Sequence, residues 1–255
     1  MTIRAKKSLG QNFLKDDSVL KDVAELLRIE KSDTILEIGP GHGELTEKLL
    51  SFEPKKVIAV EKDPELVSFL RKKFASFPNL EVIEGDILEV LPSLALNNLK
   101  IAGNIPYYIT GLIFRKISEL NKKPLLSVFV VQYEVALRAS SVPPKTNILS
   151  ASLNLWGVPS FWGKISRQSF FPEPKVDSGI LLIEKRAKNI ADTEKYFLAL
   201  HTVYKQPRKT ILNNLTEVMD RTEASSLLSS LNIDLKARPG DMSFEDIAAI
   251  SKKIK

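Results

Sequence analysis

Four consecutive residues, Asn104-Ile105-Pro106-Tyr107, could hold a planar ring that carries an exocyclic amine. Asn104 offers an amide oxygen, and the proline fixes its own backbone and restricts the residue before it, so nearby carbonyl groups keep a fixed direction. Tyr107 offers an aromatic face for stacking. Two acceptors that bind the hydrogens of an adenine amino group would favour a pyramidal nitrogen with a reactive lone pair. A strand end and an ordinary turn would explain the same four residues.

A glycine-rich turn lies upstream, between a strand and a helix, in the arrangement that is typical of nucleotide-binding units. The strand is predicted over Thr34–Ile38, and glycines follow it at every second position. The dinucleotide fingerprint requires a further glycine at the position of Glu44, so this residue argues against NAD or FAD. The spacing from Glu37 to Gly43 instead suits S-adenosylmethionine, which has no pyrophosphate.

Acidic residues follow the next two predicted strands. Lys56–Val60 leads into Glu61, which lies 22 positions after Gly39, where such folds bind the two ribose hydroxyls of a nucleoside. Leu80–Ile83 leads to Asp86, which could accept a hydrogen bond from the adenine amine of a cofactor. A lone acid in such a place is usually a helix cap or a turn residue. Because ligands of open α/β sheets bind at the carboxyl ends of the strands, the acids and the glycine turn together predict one site.

Further apolar segments complete the predicted sheet: Leu99–Gly103, Leu126–Val131 and Gly179–Ile183. The first of these brings Asn104 to the edge at which the acids lie. From Thr193 onward the apolar spacing is helical. The sequence therefore predicts an α/β domain over residues 1–187, with an N-terminal basic arm, and a small all-helical domain over residues 188–255.

Aromatic residues are concentrated in the C-terminal part of the predicted α/β domain. Residues 148–162, with Trp162 at their end, are expected to belong to the core and are assigned no function. Phe170 begins a proline-rich segment and could sandwich a target base against Tyr107. Burial of both Phe170 and Phe171 beneath the loop explains the same segment.

Composition sets the broad class. The chain has 255 residues, a net charge of +6 and a pI near 9.3, which suggests a polyanionic partner. It has no cysteine, and its histidines are His42 and His201, so a thiolate or histidine metal site is not expected. No apolar run approaches the roughly 18 residues that a membrane span needs, and no targeting signal is recognised, so cytoplasm is the expected location.

Cations at three places are candidates for contacts with RNA phosphates. They lie in the N-terminal arm, on a helix after the fifth strand and near a helix start in the second domain: Lys6, Lys7, Arg138, Lys205, Arg208 and Lys209. A frayed terminus or a solvated charged face explains these residues as well.

Taken together, the motifs resemble one known family, the small-subunit (16S) rRNA adenine N6,N6-dimethyltransferases of the KsgA-like type. The motifs in question are Ser8–Leu14, Glu37–Gly41, Glu61, Gly85-Asp86, Asn104–Tyr107 and Phe170–Ser178. The likeness covers about residues 6–184 and resumes at 206–215 and 238–243. Tyr133 departs from the family's usual lysine and Thr146-Asn147 from its usual Tyr-Gly, so the RNA-facing surface is expected to differ in detail.

The resemblance implies a Rossmann-like class I methyltransferase sheet that dimethylates N6 of two adjacent adenosines in the 3′-terminal hairpin loop of small-subunit rRNA. It implies cofactor contacts from Asn12, Leu14, Gly39, Gly41, Glu61, Asp86, Ile87 and Asn104. Asn104, Pro106 and Tyr107 would act in catalysis, with Tyr107 and Phe170 stacking the base. No metal is implied, and the expected partner of a monomeric enzyme is small-subunit rRNA or a pre-assembled small ribosomal subunit.

Two further RNA-related functions remain open from the sequence, and a third alternative, a small-molecule methyltransferase, would leave the basic arm and the helical domain without a purpose. A large-subunit rRNA adenine dimethyltransferase that gives antibiotic resistance shares the arm, the glycine turn and the Asn-Ile-Pro-Tyr run. The segment Arg238–Ser243 resembles the small-subunit enzymes instead. A ribosome-assembly factor that no longer methylates is the other alternative. The intact glycine turn and the acids that follow the strands argue that catalysis is kept.

Overall fold

The computed structural model describes residues 5–6, 9–94, 97–187 and 192–254. Lys7, a predicted RNA contact, lies outside these residues, and so do residues 188–191 beside the predicted domain boundary. Within the described part, the strands are β1 (Phe13–Leu14), β2 (Thr34–Ile38), β3 (Lys56–Glu61), β4 (Leu80–Glu84), β5 (Leu99–Asn104), β6 (Leu126–Gln132), β7 (Gly157–Ile165), β8 (Phe170–Phe171) and β9 (Ser178–Lys185).

Helices connect these strands and make up most of the C-terminal part. They are α1 (Asp17–Leu26), α2 (Glu44–Ser51), α3 (Pro64–Lys73), α4 (Ile87–Val90), α5 (Thr110–Glu119), α6 (Tyr133–Ala139), α7 (Ile148–Asn154), α8 (Thr193–Val203), α9 (Ile211–Leu215), α10 (Arg221–Ser230) and α11 (Phe244–Ser251). Side-chain caps start several of them: Asp16 accepts from the amide of Ser18, and Asp63 accepts from the amide of Glu65 just before α3.

Seven of the described strands form one sheet in the order β4-β3-β2-β5-β6-β9-β7. β4, β3, β2, β5 and β6 are parallel to their neighbours, whereas β9 runs antiparallel to β6. The predicted strands are confirmed, with ends that differ by at most two residues. Strand order reverses between β2 and β5, and such a switch point at the carboxyl edge is where α/β sheets bind ligands.

A second, two-stranded sheet joins the N-terminal arm to the proline-rich segment. β1 pairs antiparallel with β8, so that Phe13 lies opposite Phe171 and Leu14 lies opposite Phe170. The backbone amide of Lys15 extends this pairing by donating to the carbonyl of Ser169 at 2.8 Å. The arm is therefore held in place by backbone hydrogen bonds beside the main sheet.

The chain divides into two compact units, residues 1–137 with 161–185, and residues 138–160 with 186–255. This division differs from the predicted one because residues 138–160 group with the helices. Within the second unit, Thr146 donates from its hydroxyl to the carbonyl of Gly240 at 2.7 Å, and Tyr196 donates from its hydroxyl to the carbonyl of Ala151 at 2.9 Å. Asn147 caps α7. The departure from the family pattern at Thr146-Asn147 thus has a structural role.

Each unit has its own apolar core. In the first unit it lies around the sheet and includes Leu14 and Phe170, and in the second it is built by α7–α11 around Tyr196. Trp156 is buried as predicted, but Trp162 is 58% exposed, so its assignment to the core was wrong. Exposed residues alternate along β7 with less exposed ones, and Trp162 is at one of the exposed positions. No described helix is long and apolar enough to cross a membrane.

Candidate active site

A cleft opens at the carboxyl ends of β2, β3, β4 and β5, at the switch point between β2 and β5. It encloses about 900 Å³ of empty space, including the part open to solvent. The sequence-predicted residues that line it are Asn12, Gly39, Gly41, Glu61, Asp86, Ile87, Asn104, Pro106 and Tyr107. Folding thus brings together residues that are up to 95 positions apart in the chain.

The glycine turn needs glycine for two physical reasons. Gly39, Gly41 and Gly43 all have positive φ, at 65°, 59° and 83°, a conformation that L side chains rarely adopt. A Cβ at Gly41 would lie 2.8 Å from the ring of Phe13, and a Cβ at Gly43 would lie 2.5 Å from the ring of Phe74. The turn therefore lets the arm pack on it closely, and it leaves backbone groups facing the cleft.

Glu61, at the end of β3, is a buried acceptor in the cleft wall. Its carboxylate accepts from the amide of Gly41 at 3.2 Å and from the amide of Asp63 at 2.9 Å. A carboxylate has about four acceptor positions, so part of the acceptor capacity of Glu61 remains for hydroxyl donors. Burial raises the pKa of Glu61 above its usual range. The predicted ribose contact is chemically possible at this position.

Asp86 caps α4 by accepting from the amide of Leu88 at 2.9 Å. Its carboxylate is also 2.8 Å from the ammonium of Lys62, and this hydrogen bond holds the pKa of Asp86 below its usual range. Sequence reasoning did not single out Lys62, although it follows Glu61 directly and lines the cleft. An ionised Asp86 keeps acceptor capacity for an amine.

Asn104 ends β5 with its side chain oriented by the arm. Its amide nitrogen donates to the carbonyl of Asn12 at 2.7 Å, which leaves the amide oxygen as an acceptor in the cleft. The backbone of Ile105 is fixed because its amide donates to the carbonyl of Val130 at 3.0 Å. This arrangement leaves the amide oxygen of Asn104 able to accept a hydrogen bond, and its contact with a target amine stays a prediction.

The carbonyl of Pro106 itself already accepts hydrogen bonds within the protein. It accepts from the amide of Ile109 at 3.1 Å and from the hydroxyl of Thr110 at 3.4 Å. These bonds bring the chain into α5. The carbonyl of Ile105, which is next to Asn104, is the better second acceptor for an amine.

Tyr107 is half-buried and anchored at its hydroxyl. The hydroxyl and that of Ser178, at the start of β9, are 2.8 Å apart. Burial raises the pKa of the Tyr107 phenol, so it stays neutral under ordinary conditions. The bond fixes the ring at the cleft wall, which is compatible with the predicted stacking.

Phe170 is not an open stacking surface in this structure. Its side chain is only 4% exposed and packs in the core with Leu14, whereas Phe171 is 69% exposed. Neighbouring side chains of a strand point to opposite faces, and the pairing with β1 turns Phe170 inward. Stacking by Phe170, as predicted, would require this small sheet to move. The alternative of burying both rings is wrong for Phe171.

Leu14 likewise belongs to the core and does not line the main cleft. Phe13, its neighbour on the other face of β1, lines the cleft instead and stacks edge-on against the ring of His42 at a centroid distance of 4.3 Å. Leu14 lines a smaller neighbouring cavity together with Gly39, Gly41 and Asn104, so its cofactor contact stays a prediction. A signal for Phe13, which sequence reasoning did not single out, was the small Gly41, which leaves room for an aromatic ring.

Lys6 is engaged within the protein, which differs from its predicted contact with RNA. Its ammonium lies 2.7 Å from the buried carboxylate of Asp63 and 2.9 Å from that of Glu65. Its amide donates to the side chain of Gln11, which in turn donates to Asp63 at 3.3 Å. Lys6 and Gln11 thus fasten the arm, which covers the cleft, to the start of α3.

We expect Lys6→Met to weaken S-adenosylmethionine binding a few-fold, because the arm loses an ion pair of ordinary strength. Calorimetry with the cofactor, together with the rate of tryptic cleavage in the arm, measures the effect. Lys21→Met, on the exposed face of α1, serves as the control. Unchanged cofactor affinity with a smaller salt dependence of RNA binding would show that Lys6 contacts RNA after all.

Glu37 is a fully buried carboxyl beneath the glycine turn. It accepts from the hydroxyl of Thr46 at 2.6 Å, and its other oxygen has no hydrogen-bond partner among the described residues. Burial raises the pKa of Glu37 from an ordinary 4.5 to about 8. The group is therefore a neutral acid over most of the range in which free carboxyls are ionised.

The raised pKa of Glu37 predicts a pH-dependent stability. As the pH rises above about 4.5, the unfolded chain loses this proton first, so Glu37 lowers the free energy of unfolding progressively up to about pH 8. Glu37→Gln should remove that loss and make the variant relatively more stable at pH 8 than at pH 5, by at most a few kcal/mol. Urea unfolding at both pH values tests this, with the exposed Glu47→Gln as a control. If the difference in the free energy of unfolding between the wild type and the variant does not change with pH, the prediction is wrong.

The predicted RNA contacts of the second unit lie on its surface. Arg138, Lys205, Arg208 and Lys209 are exposed, and the ammonium of Lys205 is paired with Glu217. No ion pair is recorded for Arg208 or Lys209 in the described part of the chain, so both are available for phosphates. No group of three or more metal-ligating side chains is present among the described residues.

Known proteins match nearly the whole length of this chain. A family model described as ribosomal RNA adenine dimethylase matches residues 2–255. Ribosomal RNA small subunit methyltransferase A of Mesoplasma florum is 34% identical over 267 residues and covers 99% of both chains. The protein of the same name from Chlorobium phaeobacteroides is 35% identical over 260 residues, covering 99% of this chain and 92% of its own.

Two solved structures share this fold. The 23S rRNA methyltransferase ErmE has a TM-score of 0.78 and 25% identity, and the match covers 95% of this chain and 99% of that one. A dimethyladenosine transferase from Plasmodium falciparum has a TM-score of 0.81 and 24% identity, covering 93% and 95% of the two chains, and supports the fold alone. The predicted class I methyltransferase fold is confirmed.

Proposed function

Because the chain belongs to the ribosomal RNA adenine dimethylase family, we propose that it dimethylates N6 of two adjacent adenosines in the 3′-terminal hairpin loop of small-subunit rRNA. The observation that carries this proposal is the position of Asn104, whose side chain lines the cleft and whose amide nitrogen donates to the arm, so that its oxygen stays available as an acceptor. The relatives named for the small subunit, at 34% and 35% identity, support the choice of RNA.

The walls of the cleft fit S-adenosylmethionine as the methyl donor. Glu61 keeps acceptor capacity beside two backbone amides and suits the ribose hydroxyls, while Asp86 suits the adenine amine. The left-handed glycines at 39 and 41 leave the backbone open to the amino-acid end of the cofactor. When bound, this cofactor supplies an electrophilic methyl group on a sulfonium.

The residues of this chain then act by positioning the target nitrogen. The Asn104 oxygen and the Ile105 carbonyl accept the two N6 hydrogens and draw the nitrogen toward a pyramidal geometry, so that its lone pair faces the donor. Tyr107, anchored through Ser178, supports the base. Positioning and fixed dipoles of this kind lower the barrier without a strong base. A monomethylated N6 keeps one hydrogen, so the same acceptors serve the second transfer.

RNA binding is shared between the two units in this proposal. Arg138, Arg208 and Lys209 are exposed and contact phosphates. The target adenosine leaves its stack to enter the cleft, which costs little in a single-stranded loop. The enzyme acts as a monomer on the RNA or on a pre-assembled small subunit.

The decisive experiment supplies radiolabelled S-adenosylmethionine and unmethylated ribosomal subunits, small or large, and identifies the labelled nucleoside after digestion. Label in dimethyladenosine from the small subunit is the expected result. Label confined to the large subunit would overturn the proposal and favour the resistance-type activity. Tight binding to the small subunit without label would indicate an assembly factor.

A further inference from the structure

Three aromatic side chains are the most exposed among the described residues, and one of them, Tyr108, lines the cleft. They are Phe171, Tyr108 and Trp162, with exposed fractions of 69%, 61% and 58%, and we call them the aromatic rim. Exposed aromatic surface is costly in water unless a partner covers it, and it marks interaction sites when it is clustered. The mechanism proposed above uses none of these rings.

Tyr108 and Phe171 flank the arm where it crosses the cleft. A Cβ at Gly10 would lie 3.0 Å from Cε1 of Tyr108, and Phe171 lies opposite Phe13 in the small sheet. Gly10 and Phe13 are three residues apart, so at most about 11 Å of chain separates these two contacts. Tyr108 and Phe13 both line the cleft. Both rings are therefore close to the part of the arm that lines the cleft.

Trp162 reaches the same edge of the sheet through β7. The next residue, Gly163, packs against Gly179, so that a Cβ on Gly179 would lie 3.6 Å from the Gly163 carbonyl. Gly179 follows Ser178, whose hydroxyl holds Tyr107. Trp162 and Lys164 are exposed on the same face of β7, and Lys164 reaches Asp177 at 2.8 Å. Trp162 is thus close to the strand end that supports the target base.

The charges around the rim are largely compensated. Lys164 pairs with Asp177, and Arg167 pairs with Glu173 at 2.8 Å, which leaves Lys175 as the additional cation of this segment. A surface for phosphates would carry a larger excess of free cations, as the pair Arg208 and Lys209 does. The occupant of the rim is therefore bound mainly through ring faces, and unpaired RNA bases stack on aromatic side chains in this way.

We propose that the aromatic rim stacks the unpaired nucleotides that flank the target adenosine. This inference rests on the proposed function, because a strand that delivers one base into the cleft must continue past the mouth on both sides. Stacking is tolerant of sequence and depends little on salt, so the rim supplies affinity and holds the loop open.

Intrinsic fluorescence gives a direct test, since Trp162 is exposed and Trp156 is only 1% exposed. We expect a short single-stranded oligoadenylate to quench the fluorescence of the exposed tryptophan. The Trp162→Phe variant should show no quenching but should still bind the RNA. This binding would show that the variant is folded. Binding of the oligonucleotide without quenching in the wild type would overturn the assignment of Trp162.

Affinity measurements test the rim as a whole. Phe171→Ala and Trp162→Ala should each weaken binding of the oligoadenylate and of small subunits about tenfold, with an unchanged salt slope and unchanged S-adenosylmethionine affinity. Phe52→Ala, an exposed phenylalanine just after α2, is the matched control and should bind as the wild type does. A reduced salt slope would mean phosphate contact and overturn stacking. Loss of binding to subunits but not to the oligonucleotide would point to a protein partner and also overturn it.

Methylation by the wild type, measured in parallel, separates this inference from the proposed function. If the wild type methylates small subunits and the rim variants bind like it, the rim proposal fails alone. If the rim variants lose RNA affinity but the wild type transfers no methyl group, the methylation proposal fails and stacking stands.

Discussion

Asn104→Ala should lower kcat for adenosine methylation about 100- to 1000-fold while the melting temperature stays close to that of the wild type. The substitution removes the oxygen that accepts an N6 hydrogen and the amide that donates to the carbonyl of Asn12. Asn104 ends a strand and is partly exposed, so little packing is lost. Single-turnover methylation of small subunits at saturating cofactor measures the chemical step separately from binding.

The matched control for this variant is Asn97→Ala, because Asn97 is exposed and its side-chain oxygen accepts from the ammonium of Lys122 at 2.7 Å. Its kcat should equal that of the wild type. If Asn104→Ala methylates at a near-normal rate, the assignment of this residue to catalysis is wrong. A rate that recovers fully at high cofactor concentration would limit its role to orienting the arm.

Glu61→Ala should raise the Kd for S-adenosylmethionine about 100-fold, because a charged acceptor for two hydroxyl donors is lost and each such bond contributes about 1.5–3 kcal/mol. The substitution also leaves the amides of Gly41 and Asp63 without their acceptor. Isothermal titration calorimetry measures the affinity. Glu84→Ala is the matched control, since Glu84 pairs with Glu61 in the strand register but is exposed outside the cleft.

The raised pKa of Glu61 adds a pH signature to this prediction. Its carboxylate accepts hydroxyl donors best when it is ionised, so cofactor affinity should fall as the pH is lowered through the raised pKa. Glu61→Gln should bind more weakly than the wild type at neutral pH and show no such decline. Wild-type affinity in Glu61→Ala, or the same pH dependence in Glu61→Gln, would assign ribose binding to another residue.

The sequence by itself was sufficient for the sheet and for most of the predicted residues that line the cleft. Apolar runs such as Thr34–Ile38 are local signals, and a residue that follows such a strand must lie at its carboxyl edge. The parallel strand pattern then brings the glycine turn, Glu61, Asp86 and Asn104 to one edge. Chain connectivity determines this placement, so it does not depend on side-chain packing.

The tertiary structure decided which neighbouring side chain faces the core and which long-range partner a charge finds. Phe170 and Phe171 are adjacent aromatics, and only the pairing of β8 with β1 buries the first and exposes the second. Lys6 finds Asp63 across 57 positions, and Trp162 is exposed because its side of β7 is left uncovered. Composition and periodicity report that a residue is apolar or charged. They do not show which surface packs against that residue, because this depends on contacts between segments that are far apart in the chain.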